Sequence, residues 1–337
     1  MTGDHSYDIS RREALRRAVL FSTGMLITGK LGCAAAAPAT TKFSGKGIDL
    51  LALGDFGTSG NKRQKSVARA MAEFAKELDQ PVNAVLALGD NFYGKMSVDR
   101  FDKHFDKIYS EEHLSCPFYA ILGNHDYGTA VHEMQPGRPQ IQLDYAANNP
   151  NSRWKMPAKW YALELPDAEN PLVKVIMLDA NFWPGAMTPQ EKIDQRRWLK
   201  AELAKETKAP WLWMASHYPM FSQCTKSGRG DNKRLIEEWS QHLKDHEVSL
   251  YLAGHDHDMQ HLRIEGHPTS FIVNGAGGAG SYEVKPTPRG FVDGEELGFN
   301  HMHVTADRLD VQFITADGAC LHAFSRDRAG KVQIKAA

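Results

Sequence analysis

The side chains best suited to chemistry in this sequence are carboxylates, imidazoles, an amide and a phenol, each placed close behind a short apolar run. They are Asp55, Asp90, Tyr93, Asn124, His217, His255 and His257. Oxygen and imidazole ligands of these types suit Zn, Fe or Mn, and they differ from a soft thiolate site or a lone calcium site. Seven ligands are more than one transition metal with open positions takes, so the set predicts two ions that share one carboxylate.

Seven apolar runs lead into polar clusters of Gly, Asn, Asp or His. The runs are residues 48–53, 84–88, 118–122, 173–178, 211–215, 249–253 and 270–273. Runs of this length that end abruptly at turn residues are typical of buried β-strands. The candidate ligands therefore lie where predicted strands end.

Segments with apolar residues at helical spacing lie between these runs, at residues 62–78, 189–206 and 232–246. Thr188 with Pro189, and Asp231, are the predicted starts of the second and third helices. Alternation of strand and helix predicts an α/β fold with mainly parallel central strands. In such sheets ligands bind outside the carboxyl ends of the strands, where the polar clusters fall.

The rest of the chain adds a hairpin and a long loop to this prediction. Strict alternation in residues 303–315 and 320–325, around the turn Ala316-Asp317-Gly318, predicts an antiparallel hairpin. Residues 128–159 have little periodicity and are interpreted as a functional loop over the site. Trp154 in this loop, and Trp160 and Tyr161 directly after it, either stack on a substrate ring or belong to the core, and we favour the core. We expect one domain over residues 45–330.

The composition excludes several classes of protein. The 337 residues are 42% hydrophobic and 24% charged with a formal charge of -1, which excludes a disordered or fibrous chain. No net field favours nucleic acid or an anionic membrane as a partner. Beyond Cys33, only Cys116, Cys224 and Cys320 remain, so at most one disulfide forms among them and its pairing is open.

Residues 1–39 have the pattern of a bacterial twin-arginine export signal. Arg11 and Arg12 precede an apolar run at residues 18–27 and a small-residue segment at residues 34–39. The pattern predicts a periplasmic or secreted protein with the export machinery as a partner. The alternatives are a basic amphipathic helix or a membrane anchor, for which the apolar run is too short. Lys30 disfavours lipidation at Cys33.

Five clusters taken together resemble the motifs of calcineurin-like metallophosphoesterases, and within them the small, mammalian-type tartrate-resistant purple acid phosphatases. The family pattern is GDxG, GDxxY, GNH(D/E), VxxH and GHxH. It is met by Gly54-Asp55-Phe56-Gly57, Gly89-Asp90-Asn91-Phe92-Tyr93, Gly123-Asn124-His125-Asp126, Met214-Ala215-Ser216-His217 and Gly254-His255-Asp256-His257. Only Met214, in place of Val, departs from it, and the likeness extends from about residue 48 to the C-terminus.

The resemblance implies a fold and a ligand assignment. The fold is a four-layer αββα sandwich of two mixed sheets, with the metal site at the carboxyl ends of strands. One ion is bound by Asp55, Tyr93 and His257, the other by Asn124, His217 and His255, and Asp90 bridges them. A phenolate ligand implies Fe(III) at the Tyr93 site, with Fe(II), Zn or Mn as the second ion.

The resemblance also implies an acid phosphatase-like activity on phosphate monoesters, with a phosphorylated small molecule or a phosphoprotein as substrate. Metal-bound hydroxide attacks phosphorus, His125 assists the departure of the ester oxygen, and Asp126 orients His125. A phosphodiesterase or nucleotidase on the same metals is the alternative enzyme. A non-catalytic metal-binding protein is the alternative of another class.

Two further positions stay open at the level of sequence. Lys226 stands where mammalian relatives have a second helper histidine, and it is either a phosphate contact or a solvated loop lysine, the interpretation we favour. Arg229 belongs to a tripeptide, Arg229-Gly230-Asp231, that is found in integrin ligands. A match of three residues is expected by chance, so we interpret this segment as a loop that leads to the next helix.

The export prediction can be tested by charge-preserving substitution. Arg11→Lys with Arg12→Lys should leave the protein in the cytoplasm, because the twin-arginine route requires the arginine pair. Cell fractionation followed by immunoblotting measures the outcome. Unaltered export of the double variant would contradict the assignment.

Overall fold

Two mixed β-sheets pack face to face, and helices cover the outer face of each sheet. The computed structural model describes residue 43 and residues 45–128 and 134–335. The predicted export signal at residues 1–39 lies outside the described residues. Among the described helices, none combines the length and the apolar character that crossing a membrane requires.

The first sheet has eight strands, of which β1 (Ile48–Leu53) is central. β1 runs parallel to β2 (Ala84–Ala87), which is followed by β3 (Phe118–Ala120) and β4 (Trp154–Lys155), all parallel. On its other side β1 pairs antiparallel with β12 (Gly298–Val304). The sheet continues antiparallel through β13 (Arg308–Thr315), β14 (Cys320–Asp327) and β15 (Val332–Lys335).

The second sheet has seven strands with a parallel centre. That centre is formed by β6 (Val173–Leu178), β7 (Trp211–Ser216), β8 (Leu250–Ala253) and β10 (Ser270–Asn274). β5 (Tyr161–Leu165) pairs antiparallel with β6. β9 (Met259–Arg263) and β11 (Gly290–Asp293) complete the opposite edge, also antiparallel.

Alternate residues of the central strands face opposite sides of each sheet, and both sides are buried. Leu50 and Val175 belong to the core between the sheets. Leu51 and Ile176, one residue further along, pack with helix residues in the outer core. Burial on both faces explains why these strands are continuous apolar runs in the sequence. The predicted four-layer αββα sandwich is confirmed.

In the described ranges six helices accompany the sheets: α1 (Lys62–Glu77), α2 (Asp99–Phe101), α3 (Asn124–Tyr127), α4 (Gln140–Asn148), α5 (Pro189–Leu203) and α6 (Lys233–Asp245). A π-helical turn, Asp102–Asp106, follows α2 directly. Thr188 caps α5 in a capping box with Glu191, as the sequence predicts. The predicted start of α6 was wrong by one residue. Asn232 accepts from the Leu235 N–H, whereas Asp231 pairs with Arg289 at 3.0 Å.

The structure corrects two predictions of irregular or extended chain. Residues 303–315 are not one strand, because a turn at residues 305–307 separates β12 from β13. The sequence did not show this turn, since polar and apolar residues alternate in a similar way on both sides of it.

The segment predicted as a long loop, residues 128–159, contains α4 and β4. The only buried residue of α4 is Gln142, and Tyr145 stacks on Phe101 at 3.6 Å, so the helix packs without an apolar stripe.

The aromatic side chains around residue 160 and the three described cysteines lie in the core or pack against it. Trp154 is fully buried and Tyr161 nearly so, and Trp160 packs partly buried against the core, which confirms the core interpretation. Cys116, Cys224 and Cys320 are buried and unpaired in the described part of the chain.

Candidate metal centre

All seven predicted ligands lie at one edge of the sandwich, where both sheets present the carboxyl ends of parallel strands. The first sheet contributes four: Asp55 after β1, Asp90 and Tyr93 after β2, and Asn124 after β3. The second sheet contributes His217 after β7, and His255 and His257 after β8. The candidate centre therefore lies on the seam between the two sheets. Their role as ligands remains a prediction that this placement supports.

Three of these residues adopt left-handed backbone conformations, which point their side chains back over the strand ends. The φ angles are 58° at Asp55, 53° at Asp90 and 68° at His255. For residues other than glycine this conformation costs of order 1 kcal/mol each, and such strain is typical of functional sites. The strand-to-loop turns at the site are thus held in place by the surrounding fold.

Glycines in the motifs allow the strand ends to approach closely. A Cβ on Gly123 would lie 2.2 Å from the backbone nitrogen of Asp90, and a Cβ on Gly254 would lie 2.7 Å from Asp55 Oδ2. Both distances are shorter than any real Cβ contact. Glycine is needed at these two positions because a larger residue would separate the carboxylates from the other ligands.

The first group of ligand atoms forms a nearly equilateral triangle. Tyr93 Oη lies 3.2 Å from Asp55 Oδ1 and 3.3 Å from His257 Nε2. His257 Nε2 lies 3.3 Å from the same Asp55 oxygen. Atoms that share one ion at bond lengths of about 2.1 Å are separated by about 3 Å, so the triangle fits a transition metal.

The second group surrounds the Nε2 atom of the fully buried His217. That nitrogen lies 3.3 Å from Asn124 Oδ1, 3.2 Å from His255 Nδ1 and 3.4 Å from Asp90 Oδ1. His217 Nδ1 donates to the carbonyl of Leu88 at 2.8 Å. A carbonyl only accepts, so Nδ1 keeps its proton, and Nε2 is the nitrogen that can bind a metal once its own proton is lost, as in a metal-ligating histidine.

Buried charges at the seam perturb one another strongly. Burial disfavours ionised Asp90, but His217 holds the pKa of that carboxyl below its usual range. Burial alone would lower the pKa of His217, and Asp90 with Asp55 raise it to about 9. Burial and the same carboxylates raise the pKa of Tyr93. The polypeptide thus brings two buried carboxylates together with few cations of its own, a charge pattern that suits bound metal ions.

His125 lies beside both groups without entering either. Its ring packs 4.3 Å from that of Tyr93, and its Nε2 lies 4.0 Å from Asp90 Oδ2. The side chain is 28% exposed, so a substrate can reach it. Burial lowers the pKa of His125, partly offset by Asp90 and Asp55. The position suits the predicted assisting role.

The structure corrects the role predicted for Asp126. Its carboxylate accepts from the backbone N–H groups of Gly123, Asn91 and Phe92 at 2.8 to 3.2 Å, and from Gln142 Nε2 at 2.7 Å. Over the described ranges, the buried Nδ1 of His125 has no hydrogen-bond partner. Asp126 therefore joins the loop after β2 to the loop after β3 and does not orient the His125 ring.

Sequence reasoning missed a second support of the Tyr93 loop. The Arg100 Nη1 donates to the carbonyls of Tyr93 and Lys95 at 2.7 and 2.9 Å, and its Nη2 donates to Ser59 Oγ at 2.5 Å. Arg100 is 6% exposed. Nothing in the sequence marks it, since two of its partners are backbone carbonyls of a loop and the others are ordinary polar side chains, Ser59 and His104.

A cavity of about 210 Å³ borders the centre, with Trp183, Tyr218, Arg229 and His255 in its lining. Trp183 is half exposed, and its indole N–H donates to Tyr218 Oη at 3.1 Å. Tyr218 packs 4.1 Å from the His255 ring. The sequence had a signal for Tyr218, which directly follows His217, and little for Trp183.

The loop before α6 also belongs to the site. Arg229 Nε lies 3.5 Å from Asp256 Oδ1. In the sequence Asp256 stands between two of the predicted ligands, His255 and His257. Lys226 Nζ lies 3.6 Å from the ring centre of Tyr282, which stacks on His257 at 4.1 Å. The interpretation of this segment as a mere connecting loop was incomplete. A lone arginine between two glycines, Gly228 and Gly230, was the available signal.

Comparisons with known proteins show the family to which the chain belongs. Residues 48–259 match the family model described as calcineurin-like phosphoesterase. Purple acid phosphatase 4 of Arabidopsis thaliana is 30% identical over 301 residues, which are 83% of this chain and 84% of that protein. Tartrate-resistant acid phosphatase type 5 of Sus scrofa is 27% identical over 306 residues, 81% of this chain and 85% of that protein.

Solved structures share the fold at lower identity. The purple acid phosphatase PPD1 from yellow lupin seeds aligns with a TM-score of 0.62 and 16% identity, over 83% of this chain and 53% of that chain. GAP50, described as the anchor in the inner membrane complex of Plasmodium, aligns with a TM-score of 0.67 and 21% identity, over 86% and 89% of the two chains. At such identities the likeness shows the fold alone.

Proposed function

The chain belongs to the calcineurin-like phosphoesterase family, and from that premise we propose that it hydrolyses phosphate monoesters at a dinuclear metal centre, as an acid phosphatase. Family membership confirms the predicted enzyme class, a metal-dependent phosphoric ester hydrolase. One observation carries the proposal: the predicted ligands form two groups of three residues, with Asp90 between them. The groups are Asp55, Tyr93 and His257, and Asn124, His217 and His255.

The ligand set supports two different ions. Asp55, Tyr93 and His257 would hold Fe(III), since a phenolate oxygen is a hard, charged ligand, and Asn124, His217 and His255 would hold Fe(II), Zn or Mn. Asp90 would bridge them. Bound there, two cations would supply charge neutralisation of the phosphate and a lowered pKa of bound water. The fully buried Asp55 and Asp90 are then matched by positive charge.

The chain's own residues have separate tasks in this proposal. His125 is half-buried next to Asp90 and gives a proton to the departing ester oxygen, a step for which a positioned imidazole is suited. Arg229 lines the cavity with a buried Nη1 that has no partner among the described residues, so it can contact a substrate anion.

The predicted export signal supports a proposal on location. We place the mature enzyme in the bacterial periplasm or outside the cell. The twin-arginine route carries folded proteins, so the metals would be acquired in the cytoplasm. This arrangement fits a centre built from residues on both sheets, which exists only in the folded chain.

Metal content and colour test the function directly. Protein purified aerobically should hold two metal ions per chain, one of them iron, and absorb visible light. It should also hydrolyse an aryl phosphate much faster than the corresponding bis-ester. Tyr93→Phe should abolish the visible band, because the phenolate that gives the colour is removed.

Elemental analysis, a visible spectrum and the two hydrolysis rates are the measurements. Colourless wild-type protein that is fully metal-loaded and active would contradict the iron assignment. A faster rate on the bis-ester would favour the phosphodiesterase alternative. Full metal content without hydrolysis of any phosphate ester would favour a non-catalytic metal-binding protein.

Substitutions at His125 and Asp126 should separate catalysis from support. His125→Ala should lower kcat by about 10² to 10³-fold, the usual contribution of an acid/base group, with both metals retained. Asp126→Ala should lower metal content as well, because two ligand-bearing loops lose their common acceptor. Metal analysis beside steady-state kinetics checks both. Loss of metal from His125→Ala would show that His125 is a ligand.

The exposed indole next to the centre predicts a preference among leaving groups. Trp183→Ala should raise KM for aryl phosphates by about 2 to 10-fold, the range expected from one aromatic contact, and change KM for glycerol phosphate little. Trp183→Phe should restore most of the loss. Ile193→Ala, at a comparably exposed apolar residue of α5, is the matched control. Equal effects of Trp183→Ala on both substrates would contradict the predicted stacking.

A further inference from the structure

A second cavity, of about 440 Å³, opens at the edge of the second sheet opposite the metal centre. Its lining includes Lys174 and Trp211 at the amino ends of β6 and β7, and Thr269, which directly precedes β10. The carboxyl end of β7 leads to His217. Six-residue strands are about 20 Å long, so this cavity is separate from the catalytic edge.

The lining is strongly cationic. It contains five permanently charged cations, Lys174, Lys205, Arg263, Arg326 and Arg328, against two carboxylates, Glu202 and Glu247. The Glu202 carboxylate forms ion pairs with Lys174 Nζ at 2.8 Å and with Lys205 Nζ at 2.5 Å. Within residues 45–128 and 134–335, none of the three arginines forms an ion pair with a carboxylate, so the arginine side of the cavity carries uncompensated positive charge.

Three polar atoms at the base of the cavity are buried and have no hydrogen-bond partner in the part of the chain that the structure describes. Arg326 is 6% exposed, and its Nη2 donates to the Pro268 carbonyl at 2.6 Å while its Nε has no partner. Thr269 is 2% exposed, and its Oγ1 has none either. The Nδ1 of His267 is likewise unpartnered, although its Nε2 contacts Ser240 Oγ at 2.9 Å. The Arg326 Nε–H and the Thr269 hydroxyl are donors, and buried donors normally have a partner, so these two groups point to a missing acceptor.

We propose that this cavity is a binding site for the phosphate group of a small molecule. Guanidinium groups with a hydroxyl donor are the usual recognition set for phosphate oxygens. The volume equals that of roughly fifteen water molecules, which leaves room for an organic group beside the phosphate. The recessed Thr269 and Arg326 fit a small ligand better than a flat macromolecular surface.

Electrostatics agree with an anion at this place. Burial lowers the pKa of Arg326 and the neighbouring Arg263 lowers it further, while Asp327 offsets these two effects only in part. A bound anion would offset both effects, since it compensates the repulsion between two guanidinium groups. The bound anion would therefore supply negative charge that the cavity lining does not fully provide.

Isothermal titration calorimetry on the metal-loaded enzyme tests the proposal, with inorganic phosphate and phenylphosphonate as probes. The wild type should show a second class of site besides the catalytic one. Thr269→Val should weaken that second class by about 5 to 10-fold, and Arg263→Gln by about tenfold, as expected for a lost charge-assisted contact. Lys76→Gln, at an exposed cation of α1, is the matched control and should change nothing.

Thr269→Val is the cleaner variant, because it keeps the side-chain shape and the lost hydroxyl has no hydrogen-bond partner among the described residues. Folding should be intact by circular dichroism, and competitive inhibition of hydrolysis by phosphate should be unchanged. Crystals soaked in selenate should show an anomalous selenium peak within hydrogen-bond distance of Arg326 Nε. The binding readout does not require turnover, so it stands apart from the proposed phosphatase activity.

The outcomes are decisive in both directions. Tighter binding of phenylphosphonate than of phosphate would identify an organic phosphate as the ligand, and equal binding would identify free phosphate. A single class of sites in the wild type would overturn the proposal. So would second-site affinities in Thr269→Val and Arg263→Gln equal to the wild type, or selenium found only at the metal centre.

Discussion

The burial of two carboxylates at a seam between sheets is the constraint on which this structure depends. Asp55 and Asp90 have almost no exposure to solvent, and the basic groups nearest to them are two imidazoles, those of His217 and His257. Carboxylates in such a place are stable only with positive charge close by. Strand direction, the strained backbone at three ligands and the motif glycines all serve to bring oxygen and nitrogen atoms within about 3 to 4 Å of one another.

Much of this arrangement could be predicted from the sequence, because each ligand lies close behind the strand that positions it. Gly54-Asp55 and Gly254-His255 combine an apolar run with an abrupt polar end, and that signal is local. The strand bounds were correspondingly close to the observed ones, and β1 and β6 matched residue for residue. Two neighbouring parallel strands then place their ends together without any further information.

Other parts depend on contacts between distant segments, which no local pattern records. Asp126 was assigned to its neighbour His125, whereas its partners lie in the loop after β2 and in α4. The helix α4 itself is held by the buried amide of Gln142 and by Tyr145 on Phe101, not by an apolar stripe. Arg229 and Trp183 matter because of the cavity they line. In each case the side chain acts on something that is remote in sequence.

The seam position of the ligands has a consequence for how the molecule holds together. Asp55 Oδ2 and the backbone nitrogen of His255 are 2.7 Å apart although 200 residues separate them along the chain. An ion bound by residues from both sheets would link these distant parts of the chain as a cross-link does. Closure of a long loop restricts the unfolded chain more than closure of a short one. Removal of the metals by a chelator would then lower the stability of the two-sheet sandwich as well as abolish hydrolysis. The metals would act as a cross-link that forms only after both sheets have folded.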